Sequence, residues 1–328
     1  MLKTTLRKIG YITLSNSWRV KSRLENLHSS NLLTVLNLHR VSPNQNSTFK
    51  PMKPHLFEKL IVFCKKKFNI VTFSELKDLA ETTRKLDRPN LIISFDDGYK
   101  DFIEYTMPIL HKHQVKVNQN IIPSCVESGF PPFNVLIQDF IAQAPTNILN
   151  KFSIPDFKIN NSTERAHLGF LISKHLKNRS EHSRLLMMEE ILPQIQAFQD
   201  IKNVQMMDVR DLQECSGSHE IGIHSFTHAS MNYETDQFFE KDVITCKKWC
   251  LQYLGYDPKI YAFPNGSYKK SQIPILEHHK FSHILLVNNS FSSPFNVLHN
   301  RIKYHANSEQ EMIFRALGGL QTLDGTPH

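Results

Sequence analysis

Two short stretches concentrate residue types able to do hydrolytic chemistry: Ser94-Phe95-Asp96-Asp97-Gly98 and His224-Ser225-Phe226-Thr227-His228. Each follows directly on an apolar run. Adjacent carboxylates at the end of a buried strand are costly unless they are paired or meet a cation. Neighbouring strand residues point to opposite faces, but a backbone that turns at the strand end lets both reach one place in different roles. Taken alone, Asp-Asp-Gly is also a common turn. Two imidazoles four residues apart would share one face of a helical turn, a known ligand geometry for a transition metal. In a chain with 17 histidines, an unrelated pair is an equally good reading. Together the stretches say more than either alone. One carboxylate and two imidazoles make a three-ligand site with a position left for water, the pattern of catalytic rather than structural zinc. The other carboxylate is then free to act as a base on that water.

These residues need a scaffold that brings distant strand ends together. Short apolar runs alternate with segments of helical period, the signature of β/α units and a largely parallel sheet. The pattern predicts strands over 34–38, 69–72, 91–95, 115–122, 220–223, 259–263, 283–287 and 297–302. It predicts helices over 56–67, 74–85, 102–113 and 236–254. Four strands run into useful chemistry: into His39, into Asp96 and Asp97, into His224, and into Pro264 and Asn265. In β/α barrels the C-terminal strand ends share one mouth, where active sites form. The segment of about 129–209 breaks the rhythm, with helical stretches near 135–144 and 165–178, and reads as an insertion beside the barrel. The expected organisation is a basic N-terminal segment over 1–31 and a barrel domain over 32–328 carrying that insertion.

With 328 residues, 40% of them hydrophobic and 21% charged, the chain can bury a sizeable core. No run approaches the roughly 18 apolar residues of a membrane span. Part of the net charge of +8 sits at Lys3, Arg7, Lys8, Arg19, Lys21 and Arg23, ahead of the first acid, Glu25, and interleaved with Leu2, Leu6, Ile9 and Trp18. This segment reads either as a frayed, solvated start or as an amphipathic stretch touching an anionic membrane surface. The stretch 10–17 does not make a signal peptide, so the expectation is a cytoplasmic chain with a reach to the inner membrane surface. The remaining basic residues are scattered among acids, which excludes a nucleic-acid stripe. Cys64, Cys125, Cys215, Cys246 and Cys250 are an odd set without framework spacing, as expected of free thiols in a reducing compartment. Cys246 and Cys250, one helical turn apart, are more simply small helix residues than metal ligands.

The two motifs, in this order, resemble the polysaccharide deacetylase family, homologues of the nodulation chitooligosaccharide deacetylase. Tyr261-Ala262-Phe263-Pro264-Asn265-Gly266 is similar to that family's third motif. Leu38-His39-Arg40-Val41, the stretch 55–76 and Arg301-Ile302 extend the likeness over about 32–305, the insertion excepted. The resemblance implies a distorted (β/α) barrel of about seven to eight strands. It implies a hydrolase acting on an acetylated glycan and removing N-acetyl groups from an amino sugar. It also implies that Asp96 is the base and that Asp97, His224 and His228 hold one divalent metal ion, Zn2+ first, with Co2+, Ni2+ or Mn2+ also compatible with such ligands. At the third motif the family supplies a backbone N–H to the oxyanion, here from Asn265 after Pro264. Many members carry an arginine there that orients the base, where this chain has Ala262. The subgroup acting on exopolysaccharide poly-N-acetylglucosamine is similar in lacking it, and similar in placing a histidine after its first strand. The expected general acid is therefore His39. The late Leu-x-x-His of other members is missing, and His299, the nearest late candidate, directly follows Leu298 inside an expected strand.

Three other readings compete. A phosphoesterase would use the carboxylate pair with two metals and more acids, and no glycine-rich phosphate cradle is present. A catalytically silent sugar-binding protein of the same fold would explain Ala262 but not the intact Asp96, Asp97, His224 and His228. An O-acetyl esterase would use the same site on a different bond.

Overall fold

The computed structural model describes residues 10–77, 87–160, 163–198 and 200–323. Its sheet is built from strands β1 (Leu33–Leu38), β2 (Asn69–Ile70), β3 (Asn90–Asp97), β4 (Asn118–Ile121), β5 (Glu220–Ile223), β6 (Ile260–Ala262), β7 (His283–Leu285), β8 (Leu298–His299) and β9 (Ile302–Lys303). Every pairing between them is parallel. The spatial order is β8-β7-β6-β5-β4-β3-β1-β9, with β2 beside β3. Strands β1 and β3 are buried along nearly their whole length, as a parallel sheet covered on both faces requires.

The sheet curls into a distorted (β/α) barrel, and residues 298–303 show how. The expected continuous strand over 297–302 is broken in two. Strand β8 pairs with β7 at one edge of the sheet, and β9 pairs with β1 at the other. Only Asn300 and Arg301 separate them, so the two edges lie within a three-step Cα path, roughly 11 Å. The break has a physical cause. The Asn300 N–H donates to the Ser292 hydroxyl at 2.7 Å, and the Arg301 carbonyl accepts from the Asn289 N–H at 3.1 Å. Those backbone groups are thereby withdrawn from any ladder.

Around the sheet, α1 (Ser17–Ser29), α2 (Pro54–Lys67), α3 (Met107–His113), α4 (Pro123–Ser128), α5 (Phe133–Gln143), α6 (Thr146–Leu149), α7 (Arg165–Lys177), α8 (Glu181–Gln196), α9 (Val209–Ser216), α10 (Asp236–Leu254), α11 (Gln272–His278) and α12 (Glu309–Ala316) complete the described chain. The predicted helix over 236–254 has the observed bounds. That over 102–113 opens with one π-helical turn, Phe102–Thr106. The helix expected over 74–85 lies mostly outside the described residues, as do Leu2, Lys3, Leu6, Arg7, Lys8 and Ile9. Within 17–29 the basic segment is not frayed. Helix α1 buries Val20 and Leu27, and its Arg23 donates to the Leu317 carbonyl at 3.1 Å and lies over the Phe291 ring. No helix among the described residues is long and apolar enough to cross a membrane.

Helices α5 to α8 build a second apolar cluster around Ile137, Phe140, Ile172, Leu176, Met188 and Ile191. Most of residues 133–201 therefore carry a core of their own, while Val135 and Met206 pack with Tyr99 and Ile122, and Met207 joins the main core. The end of the inserted segment is stitched to the barrel where the Lys100 N–H meets the Gln205 carbonyl at 2.9 Å and the Met207 N–H meets that of Gly98 at 2.9 Å. All five cysteines are free and buried. Burial pushes the Cys250 thiol up to about 12, in the range of an unreactive, protonated thiol.

Candidate active site

Strand β3 ends on Asp96 and Asp97 themselves, one pair further than the expected strand. Asp97 takes φ = 81° and Gly98 φ = 83°. A left-handed aspartate is strained by about 1–3 kcal/mol, and here the strain swings the second carboxylate out of the pleat. A side chain at Gly98 would additionally press on Ile121. The two acids then meet different partners. Asp96 Oδ1 accepts from Arg301 at 2.7 Å and from Asn120 Nδ2 at 2.8 Å, and its Oδ2 accepts from Arg301 at 2.8 Å. Asp97 Oδ2 accepts from the Tyr99 hydroxyl at 2.7 Å. Its Oδ1 is buried without a hydrogen-bond partner.

That orphaned oxygen lies 3.5 Å from His224 Nε2 and 3.6 Å from His228 Nε2. The three ligand atoms fall within 4.8 Å of one another, and all three residues are buried. His224 Nδ1 sits 2.8 Å from the Ala262 carbonyl. That acceptor requires the proton on Nδ1 and leaves the Nε2 lone pair facing the cluster, as in metal-ligating histidines. An unpaired buried carboxylate oxygen costs about 1–3 kcal/mol or more, and one cation beside two imidazole lone pairs would relieve it. The donor set therefore fits a single divalent ion.

The His224–His228 stretch is not a helical turn, contrary to the expectation from its spacing. It is an irregular loop in which Ser225 (φ = 63°) and His228 (φ = 60°) are left-handed. Its polar groups are taken up by distant elements, which is why it does not wind. Asp242 on α10 accepts from the Ser225 hydroxyl at 3.0 Å and the Phe226 N–H at 2.9 Å. Arg184 on α8 donates to the carbonyls of Thr227 at 3.1 Å and His228 at 3.0 Å. Burial pushes the Asp242 carboxyl up to about 7, although its donors oppose the rise.

The arginine missing at Ala262 has a counterpart elsewhere. Arg301, in the gap between β8 and β9, is fully buried and forms the two parallel bonds to Asp96. It is fixed in turn by the Leu286 carbonyl at 3.1 Å and the Ser94 hydroxyl at 3.2 Å. Burial would raise the Asp96 carboxyl, but the charges of Arg301 and His224 hold it well below its ordinary value. Gly222 belongs to the same arrangement, because a side chain there would collide with Asn120 Oδ1 and Ile260. Sequence reasoning noted Arg301 only as part of a likeness, and missed Asn120 and Asp242.

The two candidate acids are far apart in character. His39 follows β1, is half-buried, meets the Phe49 ring edge-on at 5.4 Å, and feels the charges of Asp97, Asp96 and His224. Burial lowers its imidazole below the ordinary value, and the two aspartates oppose that fall. His299 is wholly buried against Phe73, 3.0 Å from His283 Nδ1. Burial and His283 bring it down to about 3, with no carboxylate in its field. On β6's exit, Pro264 is buried and Asn265 is left-handed (φ = 59°), its Nδ2 donating to the Ser230 hydroxyl at 3.0 Å.

Known proteins bear on this geometry in two ways. The family profile described as polysaccharide deacetylase matches residues 169–284, a span that begins within α7, holds His224, His228 and the 261–266 stretch, and does not reach Asp96 and Asp97. No curated protein matches the chain. Among solved structures, the deacetylase PplD of Streptococcus pyogenes, in complex with acetate, superposes with a TM-score of 0.57 at 14% identity, over 87% of this chain and 98% of that one. A de-N-acetylase from Aggregatibacter actinomycetemcomitans gives 0.55 at 14% identity, over 85% and 98%. IcaB from Ammonifex degensii gives 0.54 at 14% identity, over 87% and 97%. At such identities the superpositions establish the fold. The chain thus resembles the polysaccharide deacetylase family in sequence over residues 169–284 and shares the fold of these solved structures.

Proposed function

We propose that this chain is a metal-dependent hydrolase that removes an acetyl group from an amino-sugar nitrogen in a glycan. The observation that carries the reading is the unpartnered Asp97 Oδ1, set between His224 Nε2 and His228 Nε2, with a second, arginine-held carboxylate next to it. Asp97, His224 and His228 would hold one divalent ion, zinc by preference and cobalt, nickel or manganese as alternatives. When bound, such an ion polarises the acetamide carbonyl and makes water more acidic.

The chain's own residues account for the protons. Asp96, kept ionised by Arg301, takes one proton from water as a bond forms between the water oxygen and the acetyl carbon. The N–H of Asn265, presented by the turn after Pro264, faces the oxygen that gains negative charge. His39 then gives a proton to the sugar nitrogen as the carbon–nitrogen bond breaks. The products are acetate and a free amine. Without that proton the leaving group would be an amide anion, so an N-acetyl substrate needs the acid that His39 supplies.

The test is an acetate-release screen of the zinc-loaded protein across N-acetylated and O-acetylated glycans. Release from N-acetyl sugars is expected. Release from O-acetyl esters alone would replace the proposal with an esterase, and metal binding without any release would leave a silent carbohydrate-binding protein.

A further inference from the structure

Helix α7 of the inserted segment is pinned against the active-site mouth. Gly169, Ser173 and Lys177 recur every four residues and so share one face. At Gly169 the helix approaches so closely that a side chain would overlap Thr48, next to Phe49, the ring that His39 touches. Ser173 is buried one turn on. On the far side of the mouth, Arg184 at the start of α8 holds the Thr227 and His228 carbonyls. Lys177 lies between these two anchors. It is half-buried, close enough to feel the charge of Asp97 and for its own charge to reach His39 and His228. The charge of Lys303 on β9 reaches it as well.

We propose that Lys177, supported by Lys303, is a specificity residue that binds an anionic group, a carboxylate or a phosphate, carried by the glycan next to the acetamide. This rests on the function proposed above. If Asp97 is committed to a divalent cation, the only carboxylate that faces Lys177 is already neutralised. Neither lysine has an acidic partner at ion-pair distance among the described residues. Asp96 is likewise matched by Arg301. The mouth then carries an excess of positive charge in a confined, partly desolvated place, where such charge selects anions most strongly. Burial draws the Lys177 ammonium down to about 8, which still leaves it protonated near neutral pH. The insertion is therefore the wall that reads the sugar's charge.

The experiment uses the full chain with Asp96→Asn, loaded with zinc, so that binding is read without turnover. Three probes are titrated by calorimetry at low and high salt: a neutral chitin tetrasaccharide, a hyaluronan tetrasaccharide bearing glucuronate, and N-acetylglucosamine 1-phosphate. At least one anionic probe is expected to bind roughly tenfold or more tighter than the neutral one, the scale of a charged hydrogen bond, with an advantage that shrinks in salt. Lys177→Gln should abolish the advantage without changing chitin binding, and Lys177→Arg should restore it. The carboxylate and phosphate arms identify which anion is read. Equal binding of all probes, or a Lys177→Gln variant that weakens neutral and anionic ligands alike, overturns the proposal. Absence of acetate release by the unaltered chain on any glycan would instead defeat the reaction while leaving the charge preference measurable.

Discussion

Replacing Arg301 by Leu should separate its two duties, holding the fold and holding Asp96. Arg301 is wholly buried, and the Asp96 side chain is only 2% exposed. Removing one member of such a pair leaves a buried charge uncompensated and costs about 3–5 kcal/mol. For 328 residues the unfolding entropy is about 0.7 kcal/mol/K, so Tm should fall by roughly 4–7 °C. The remaining carboxylate can escape the penalty by binding a proton. The Asp96 carboxyl should therefore rise from below its ordinary value to above it, and the acid limb of the rate profile should move to higher pH. The double variant Arg301→Leu with Asp96→Asn removes both charges and should recover most of the lost stability, although not the activity. Thermal unfolding of the single and double variants and a pH profile of acetate release measure these parts. An Arg301→Leu protein with unaltered Tm and an unmoved acid limb would refute the reasoning. So would a double variant no more stable than the single one.

Alanine at Asp97, His224 or His228 should cut zinc content by elemental analysis, whereas Asp96→Asn should keep the metal and slow turnover by roughly 10²–10⁴-fold; full metal retention in all three alanine variants would remove the ligand assignment. Asp242→Asn should weaken metal affinity by roughly 10–100-fold, the usual effect of losing a group that orients a ligand, and a zinc competition titration that shows no change would deny Asp242 that role. His39→Ala should abolish the alkaline limb of the rate profile with metal content unchanged, and a His299→Leu protein that loses turnover while His39→Ala keeps it would transfer the acid role. The pair His283 and His299, brought down to about 4 and about 3, is neutral in the fold, so its contribution is whole above the ordinary imidazole value of 6.5 and drains away as pH falls toward those values. His299→Leu should flatten the acid side of the stability curve in urea unfolding below pH 6, and a curve as steep as before would contradict this.

Much of the site could be read from the chain because its strands announce themselves. Apolar runs end at His39, Asp96, His224 and Pro264, and a parallel barrel brings such ends to one mouth. What was hidden is hidden for physical reasons. A six-residue run over 297–302 carries no mark of which sheet edge each half will join, so the break that frees Arg301 is a tertiary outcome. The one clue was an arginine inside an apolar stretch, which demands a buried partner. Asp242 had a similar clue, since it sits on the same helical stripe as Phe239, Val243 and Cys246. The four-residue spacing of His224 and His228 misled, because periodicity cannot foresee the serine and backbone groups being captured by Asp242 and Arg184. No helix was expected over Glu181–Gln196 (α8), which carries Pro193 in its last turn.

The seam at Asn300 and Arg301 also sets an order in time. Synthesised from its N-terminus, the chain presents Asp97, His224 and His228 well before Arg301 exists. Until then Asp96 lacks its guanidinium and the two sheet edges have no residue to join them. Closure of the wall and pairing of the Asp96 carboxylate depend on the same short stretch, the last part of the sheet to be made. A polypeptide released before that point would keep Asp96 at the end of its strand with no guanidinium beside it.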